Sequence, residues 1–224
     1  MNLHSDILVH WTGRDFKQPP EYIERLQAFY KDGIYAHPPK IVEKICGFNT
    51  EVVLRSIPMI CFTEIRLSQA KTFADRYGKL GIGFSRKYLM DRGANPVFYL
   101  RSSKNGIVNT NFAYLFHMAE ENGILNTFLA YCKSMSSEPD KELDFYEEME
   151  WRTIVCELKD SSPPCPHLTK KGEYYYLDFN PSDVELIVFP DEIIKKAALE
   201  DPSMVEYFRQ HTPMIVTCDK IPNF

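Results

Sequence analysis

The apolar residues of this chain are grouped in short runs that end at glycine, proline or polar residues. Runs of this kind are typical of buried strands, because an amphipathic helix needs a longer repeating pattern. We predict strands at residues 7–10, 59–63, 81–85, 96–101, 151–158, 174–178, 184–189 and 214–217. So many short strands favour an α+β fold with mixed or antiparallel sheets and flanking helices over an alternating parallel fold.

Helical spacing of apolar residues occurs in fewer segments. Pro19 and Pro20 open one pattern that runs to Gly33, a helix stop signal. Further helices are predicted at residues 67–77, 86–92, 112–131, 192–198 and 203–211. The 112–131 pattern fits one helix or two helices that are broken near Gly123, and the polar segment 133–142 is predicted to be a surface loop.

Composition limits where this chain works and what it binds. A length of 224 residues with 44% hydrophobic content suits one compact domain over residues 1–224. The net charge of -5 gives no overall attraction to nucleic acid, which leaves only a local basic patch in the first half of the chain. The six cysteines form no C-x-x-C pair, and the chain shows neither a leader nor a long apolar run. We therefore expect a soluble, cytoplasmic protein.

Several common functional motifs are absent from the sequence. Gly81-x-Gly83 lacks the third glycine and the long helix of a dinucleotide-binding fingerprint. There is no P-loop, G-x-S-x-G elbow or H-E-x-x-H sequence. The histidines have no metal-ligand spacing, so we predict no metal site.

A histidine, a tryptophan and a threonine follow the first apolar run. His10 is placed at the end of the first predicted strand, where a sheet can hold a side chain rigidly at a cleft. Thr12 and Gly13 add a hydroxyl and an unobstructed backbone beside it. These residues suit recognition of a polar ligand, and the alternative is a histidine that only bonds a carbonyl of the sheet.

Glu150 is predicted at the start of a later strand, with Arg152 two positions further on. Strand alternation puts both side chains on one face, so Arg152 can hold the carboxylate. The alternative is a solvated acidic run that Glu150 forms with Glu147 and Glu148.

Three other side chains are candidates with an ordinary structural alternative. Thr63 ends the predicted strand 59–63 and Ser68 lies in the next turn, where either is also a common helix N-cap. Tyr77 offers a ring for stacking, although a tyrosine at a helix end is usually half-buried packing.

Five short blocks, HWTG, IPMICFTEI, YGKLGIGFS, ANPVFYLRS and EMEWR, resemble a bacterial phage-resistance family, the AbiGi-type abortive infection proteins. The similarity covers most of residues 5–155. The same layout resembles the ADP-ribosyltransferase fold, whose histidine class has a His, a hydroxyl residue and a Gly on the first strand and a catalytic Glu on a later strand.

That resemblance implies a role in NAD chemistry for most of the candidates. His10 would bond the nicotinamide-side ribose, and Gly13 or its neighbour would hold the carboxamide through the backbone. Tyr77 or Phe62 would stack on the ring. Glu150 would orient the ribose and stabilise its developing positive charge. The remaining residues expected to contact NAD are Thr12, Thr63, Ser68 and Arg152.

The leading hypothesis is therefore an NAD-dependent mono-ADP-ribosyltransferase that acts as a toxin-like effector in anti-phage defence. Its acceptor would be a protein or a nucleic acid. A second hypothesis is a non-catalytic antitoxin or regulatory module that binds a partner protein, for which Glu150 would not be needed. A third is a sensor that binds the nucleotide without turnover.

Overall fold

The fold is built around one seven-stranded sheet in a computed structural model, which describes residues 6–39, 42–44, 51–53, 57–64, 70–100, 115, 118, 123–135, 145–156 and 165–220. The strands within these ranges are β1 Ile7–Thr12, β2 Ile34–Tyr35, β3 Val42–Lys44, β4 Glu51–Val53, β5 Met59–Thr63, β6 Leu80–Ser85, β7 Asn95–Pro96, β8 Phe98–Leu100, β9 Cys132–Ser134, β10 Glu150–Ile154, β11 Thr169–Lys171, β12 Tyr174–Leu177, β13 Val184–Phe189 and β14 Met214–Thr217. The helices are α1 Pro19–Asp32, α2 Ala70–Tyr77, α3 Arg86–Asp91, α4 Gly123–Leu129, α5 Glu192–Glu200 and α6 Pro202–Gln210.

The main sheet has the strand order β14-β13-β6-β1-β5-β10-β7. Its neighbours are antiparallel except for β13 and β14, which are parallel. Smaller sheets are formed by β11-β12-β2, by β3-β4 and by the parallel pair β8-β9. The prediction of an α+β fold with mixed sheets is confirmed.

Helix α1 covers one face of the main sheet, which we call the α1 face. Its start is fixed by a capping box between Gln18 and Glu21, and its end by Gly33. The buried side chains of α1 pack against apolar residues of β1, β5 and β6, including Leu8 and Phe62. Each large apolar side chain buried in this way stabilises the fold by roughly 1.5–3 kcal/mol.

Helix α2 covers part of the opposite face, which we call the α2 face. Phe73 and Ala74 of α2 pack there against Val9 and Trp11 of β1. Residues of β13 join the same cluster, so α2 lies over the β1-β6-β13 side of the sheet. This placement leaves the β5-β10 side of the α2 face to other groups.

Strand β1 is longer than predicted. Its ladder with β6 runs from Ile7 opposite Ser85 to Thr12 opposite Leu80. His10 and Thr12 therefore lie inside a paired strand, and the prediction that the strand ends at His10 is wrong. The ladder continues because β6 provides a partner for each residue of the HWT segment.

The predicted strand 96–101 is divided between two sheets. Pro96 lies in β7 at the edge of the main sheet, where its missing N–H is tolerated. The N–H of Val97 then donates to the carbonyl of Glu150 at 2.9 Å, and the N–H of Phe98 donates to that of Tyr131 at 2.8 Å. The chain thus leaves the main sheet at Val97 and continues as β8 beside β9.

The segment after residue 131 also differs from its prediction. Lys133 and Ser134 belong to β9 rather than to a surface loop, because they pair with Tyr99 and Leu100 of β8. Residues 136–142 of the predicted loop lie outside the described residues, as do residues 67–69 of the predicted helix 67–77. Within the described part of the predicted helix 112–131, α4 is formed.

Candidate functional site

The predicted site residues are divided between the two faces of the main sheet. Val9 lies opposite Thr63, and Thr63 lies opposite Glu150, so these three side chains share the α2 face. His10 follows Val9 and points to the α1 face. Thr12 and Phe62 alternate in the same way and share the α1 face with His10.

His10 is half-buried among aromatic rings. Its Nδ1 lies 2.9 Å from the carbonyl oxygen of Cys61, a distance at which a protonated Nδ1 donates to that carbonyl. The rings of Phe29 and Phe62 meet it edge-on, with centroids at 5.8 and 5.9 Å. Burial lowers the pKa of His10 and outweighs the opposing effect of this hydrogen bond. The imidazole is therefore held neutral on the α1 face.

The end of β1 touches the end of α2. Gly13 has a φ of 78°, a conformation that favours glycine. At Gly78, a Cβ would lie 2.1 Å from the carbonyl oxygen of Thr12. Only glycine allows the two backbones to approach so closely, and this contact fixes the position of Tyr77, the last residue of α2.

Glu150 is the best-defined functional candidate on the α2 face. It is 5% exposed. Arg152 binds its carboxylate with two nitrogens, Nε at 2.6 Å from Oε1 and Nη2 at 3.3 Å from Oε2. Lys133 Nζ lies 2.7 Å from Oε2, and the backbone N–H of Glu150 donates to the Tyr99 hydroxyl at 2.7 Å. The prediction that Arg152 shares the face of Glu150 and holds it is confirmed.

These contacts determine the charge of Glu150. Burial by itself would raise the pKa of this carboxyl group. The charges and hydrogen bonds of Arg152 and Lys133 outweigh burial and lower the pKa to about 2. Glu150 is therefore an anion throughout the neutral pH range and cannot serve there as a proton donor.

Glu148 is a second buried carboxylate that the sequence analysis did not select. It is 2% exposed. Arg76 Nη1 lies 3.0 Å from its Oε1, Tyr77 donates its hydroxyl hydrogen to the same oxygen, and Lys133 Nζ lies 2.5 Å from its Oε2. Burial and the neighbouring Glu148 raise the pKa of Tyr77, so its hydroxyl stays protonated and donates.

The interpretation of residues 147–150 as a solvated acidic run is wrong for two of the three glutamates. Glu147 is exposed, whereas Glu148 and Glu150 are buried among cations. Met149 between them has a φ of 43° and a ψ of 52°. This left-handed conformation is uncommon for a residue with a side chain and is often found at functional sites. It brings both carboxylates to Lys133.

The ionised side chains around Glu148 and Glu150 that the structure describes form one charged cluster. Arg76, Lys133 and Arg152 provide three cations, and Glu148 and Glu150 provide two anions. Such a cluster suits a ligand that carries both an anionic part and a group that a carboxylate can bind.

Thr63 lies beside the charged cluster and is already engaged. Trp11 Nε1 donates to the Thr63 hydroxyl oxygen at 2.8 Å, and that hydroxyl donates to the carbonyl of Val9 at 3.3 Å. Thr63 therefore ties β5 to β1 and fixes the indole of Trp11 on the α2 face.

Cys61 marks an uncovered part of the α2 face. It lies in β5, inside the sheet and directly opposite Arg152, yet it is exposed while its neighbours in β5 are buried. The surrounding protein desolvates the thiol and raises its pKa, and the charge of Glu150 adds to this effect. The α2 face is therefore exposed to solvent at the position next to Arg152.

One predicted site residue, a metal site and a membrane-spanning helix remain to be considered. Ser68 lies outside the described residues. In the described part of the chain, no group of three His, Cys, Asp or Glu side chains is arranged to hold a metal ion. Within the same ranges, no helix combines the length and apolar character needed to cross a membrane.

One protein family matches the sequence. Its model, described as abortive phage resistance protein AbiGi, antitoxin, matches residues 40–190. A search of curated proteins finds no significant match.

Solved structures of DarT from Thermus sp. 2.9 are similar over most of their length. The complex with NAD+ has 13% sequence identity and covers 95% of this chain and 94% of that chain. The complex with carba-NAD+ has 14% identity and covers 97% and 96% of the two chains, and the complex with ADP-ribosylated ssDNA has 14% identity and covers 95% and 93%. The TM-score is 0.39 in each case, which is too low to establish a shared fold.

Proposed function

The chain belongs to the AbiGi family of abortive phage resistance proteins, and we propose that it acts in anti-phage defence as an NAD-dependent ADP-ribosyltransferase with Glu150 as its catalytic carboxylate. The observation that carries this proposal is the state of Glu150. It is buried, ionised and held by Arg152 and Lys133 beside an uncovered part of the sheet.

A fixed anion fits the chemistry of this reaction. When the bond between nicotinamide and ribose breaks, nicotinamide leaves with the bonding electrons and positive charge develops on the ribose. A preorganised carboxylate near that carbon stabilises the charge, as Glu150 would. The acceptor then bonds the same carbon and loses a proton to solvent. Because the pKa of Glu150 is about 2, the carboxylate acts by charge and by accepting hydrogen bonds, without donating a proton.

The surroundings of Glu150 fit the rest of an NAD molecule. Arg76 is the most exposed of the three cations described in the cluster, with 39% of its side chain accessible. An anionic diphosphate would bind Arg76, while a ribose hydroxyl would approach Glu150 past the exposed Cys61. Tyr77 shares this face and would border the nicotinamide ring.

The α1-face residues have a different place in this proposal. His10, Thr12 and Phe62 project away from Glu150, so their side chains do not form one clamp with its carboxylate. Their contact with NAD stays a prediction. Strand β1 contributes to the site through its end, where Gly13 and the backbone of Thr12 adjoin the end of α2.

Transfer of a label tests the proposal. NAD labelled in its adenosine part is incubated with the purified protein and cell lysate, which supplies protein and nucleic-acid acceptors. We expect the label in macromolecules with the wild type but not with Glu150→Gln. Glu185→Gln, which changes an exposed glutamate of β13, is the matched control and should transfer label like the wild type. Equal labelling by Glu150→Gln would contradict the proposal.

Two observations favour the antitoxin or regulatory alternative. Both carboxylate oxygens of Glu150 are already bonded to cations, as in a purely structural ion-pair network, and the matched family is described as an antitoxin. A non-catalytic module would protect cells from its cognate toxin equally well with Gln at position 150. A co-expression growth assay with wild type and Glu150→Gln separates the two functions. The third hypothesis, an NAD sensor, predicts that the protein binds NAD, which calorimetry measures, without releasing nicotinamide.

A further inference from the structure

Lys133 contacts residues that lie outside its own sheet. It lies in β9, which pairs with β8, whereas Glu150 begins β10 in the main sheet. The Lys133 ammonium lies 2.5 Å from Glu148 Oε2 and 2.7 Å from Glu150 Oε2. It also lies over the ring of Phe145, 4.6 Å from the centroid. One ammonium group thus contacts both buried carboxylates.

The two carboxylates have different second partners. Glu150 has Arg152 from its own strand, and Glu148 has Arg76 and Tyr77 from α2. Lys133, among the described residues, contacts both of them. In the ranges that the structure describes, the titratable and charged groups that face Glu150 are Arg152 of β10, Lys133 of β9, Tyr99 of β8, Cys61 of β5 and Glu148. Glu148 links them to Arg76 and Tyr77 of α2.

Two buried anions that lie close together repel each other unless a cation lies between them. Without Lys133, the cations beside Glu148 and Glu150 in the described part of the chain are Arg76 and Arg152, each on its own side. One carboxylate would then take up a proton or turn away. The left-handed Met149 between them restricts the second response, because it limits how the backbone can separate the two side chains.

We propose that Lys133 is a positioning residue that holds Glu148 and Glu150 side by side as a pair of ionised carboxylates, which gives Glu150 the orientation and charge that its reaction needs. The catalytic part of this inference rests on the proposed function. The pairing itself is a property of the protein without ligand and is measurable in its absence.

Carboxyl titration by 13C NMR on the full chain tests the pairing, and nicotinamide release tests its consequence. The signal of Glu150 is assigned by its loss in Glu150→Gln. In Lys133→Met, we expect the titration midpoint of Glu150 to rise by about one pH unit or more. In Lys133→Arg, which keeps the charge, most of that rise should be absent. Lys87→Met, which changes an 84% exposed lysine of α3, is the matched control and should leave the midpoint unchanged.

Kinetics provide the second readout. Lys133→Met should lower kcat about 100-fold with a smaller change in KM, because a misplaced carboxylate loses transition-state stabilisation. The acidic limb of the pH profile should move upward with the Glu150 midpoint. An unchanged midpoint and an unchanged kcat in a folded Lys133→Met protein would overturn the proposal.

The NMR titration and the nicotinamide assay distinguish failure of this proposal from failure of the proposed function. If the wild type releases no nicotinamide, the transferase function fails, and the NMR titration still decides whether Lys133 pairs the carboxylates. If the Lys133→Met protein does not fold, the substitution is combined with Glu148→Gln, which removes the repulsion between the two carboxylates. We then expect a higher Glu150 midpoint than in Glu148→Gln alone, and equal midpoints would overturn the pairing.

Discussion

The side chains of His10 and Glu150 leave the main sheet on opposite faces. Val9, Thr63 and Glu150 form one row across three antiparallel strands, and His10 is displaced from that row by one residue. His10 packs against Phe29 and Phe62, whereas Glu150 binds Arg152 and Lys133. The two residues are therefore expected to respond differently to substitution and to pH.

The neutral state of the half-buried His10 makes the stability of the protein sensitive to mild acid. Its folded-state pKa is lowered from the usual 6.5, so the unfolded chain binds the proton more readily. The free energy of unfolding is therefore highest above the unfolded-state pKa, and it decreases as the pH falls below about 6.5. We predict that His10→Asn, whose amide can donate to the same carbonyl, unfolds with less dependence on pH in this window.

Urea unfolding at a series of pH values between about 4.5 and 7.5 measures this difference. His211→Asn is the matched control, since His211 lies at the C-terminal end of α6, outside the main sheet. A wild-type pH dependence that persists unchanged in His10→Asn would contradict the prediction.

Arg152 is predicted to be essential for stability as well as for the site. Its guanidinium binds Glu150 through Nε and Nη2 and donates from Nη1 to the carbonyl of Ala130 at 2.5 Å. Arg152→Met leaves a buried carboxylate with one cation fewer, which costs about 3–5 kcal/mol of unfolding free energy. Arg209→Met, which changes an exposed arginine of α6, should stay within about 0.5 kcal/mol of the wild type. Equal effects of the two substitutions in urea unfolding would show that the ion pair between Arg152 and Glu150 does not stabilise the fold.

The contact between Gly78 and the end of β1 predicts a further difference. Gly78 has a φ of 126°, and a Cβ there would meet the Thr12 carbonyl oxygen at 2.1 Å. Gly172 has a φ of 65° but no atom within 4 Å of the same position. Gly78→Ala should therefore destabilise the protein by about 3 kcal/mol, and Gly172→Ala by about 1 kcal/mol. A thermal unfolding experiment on both variants compares them, and a smaller loss for Gly78→Ala than for Gly172→Ala would contradict this reading of the contact.

The Glu150–Arg152 pair could be predicted from the sequence because it depends only on alternation within one strand. The relation between His10 and Glu150 could not. It depends on the register of β1 against β5 and of β5 against β10, and a shift of one residue in either ladder would reverse the face. The sequence contains the two strands but does not state their register.

Glu148 and Lys133 show a second limit of sequence reasoning. Glu148 lies in the 3-10 turn before β10, and the left-handed Met149 decides that its carboxylate turns inward. Lys133 comes from β9, which is not part of the main sheet. The burial of Glu148 and its contact with Lys133 do not follow from the local sequence pattern, because acidic and polar segments of this composition usually lie in solvent.

The central claim is that Glu150 is a catalytic carboxylate, and the rate of nicotinamide release from NAD tests it most directly. Purified wild type, Glu150→Gln and the control Glu185→Gln are compared with lysate as a mixed acceptor, after unfolding curves confirm that all three are folded. We predict that Glu150→Gln lowers the rate by about 100-fold or more, while Glu185→Gln leaves it unchanged. Release at the wild-type rate by Glu150→Gln, or no release by the wild type, would contradict the claim.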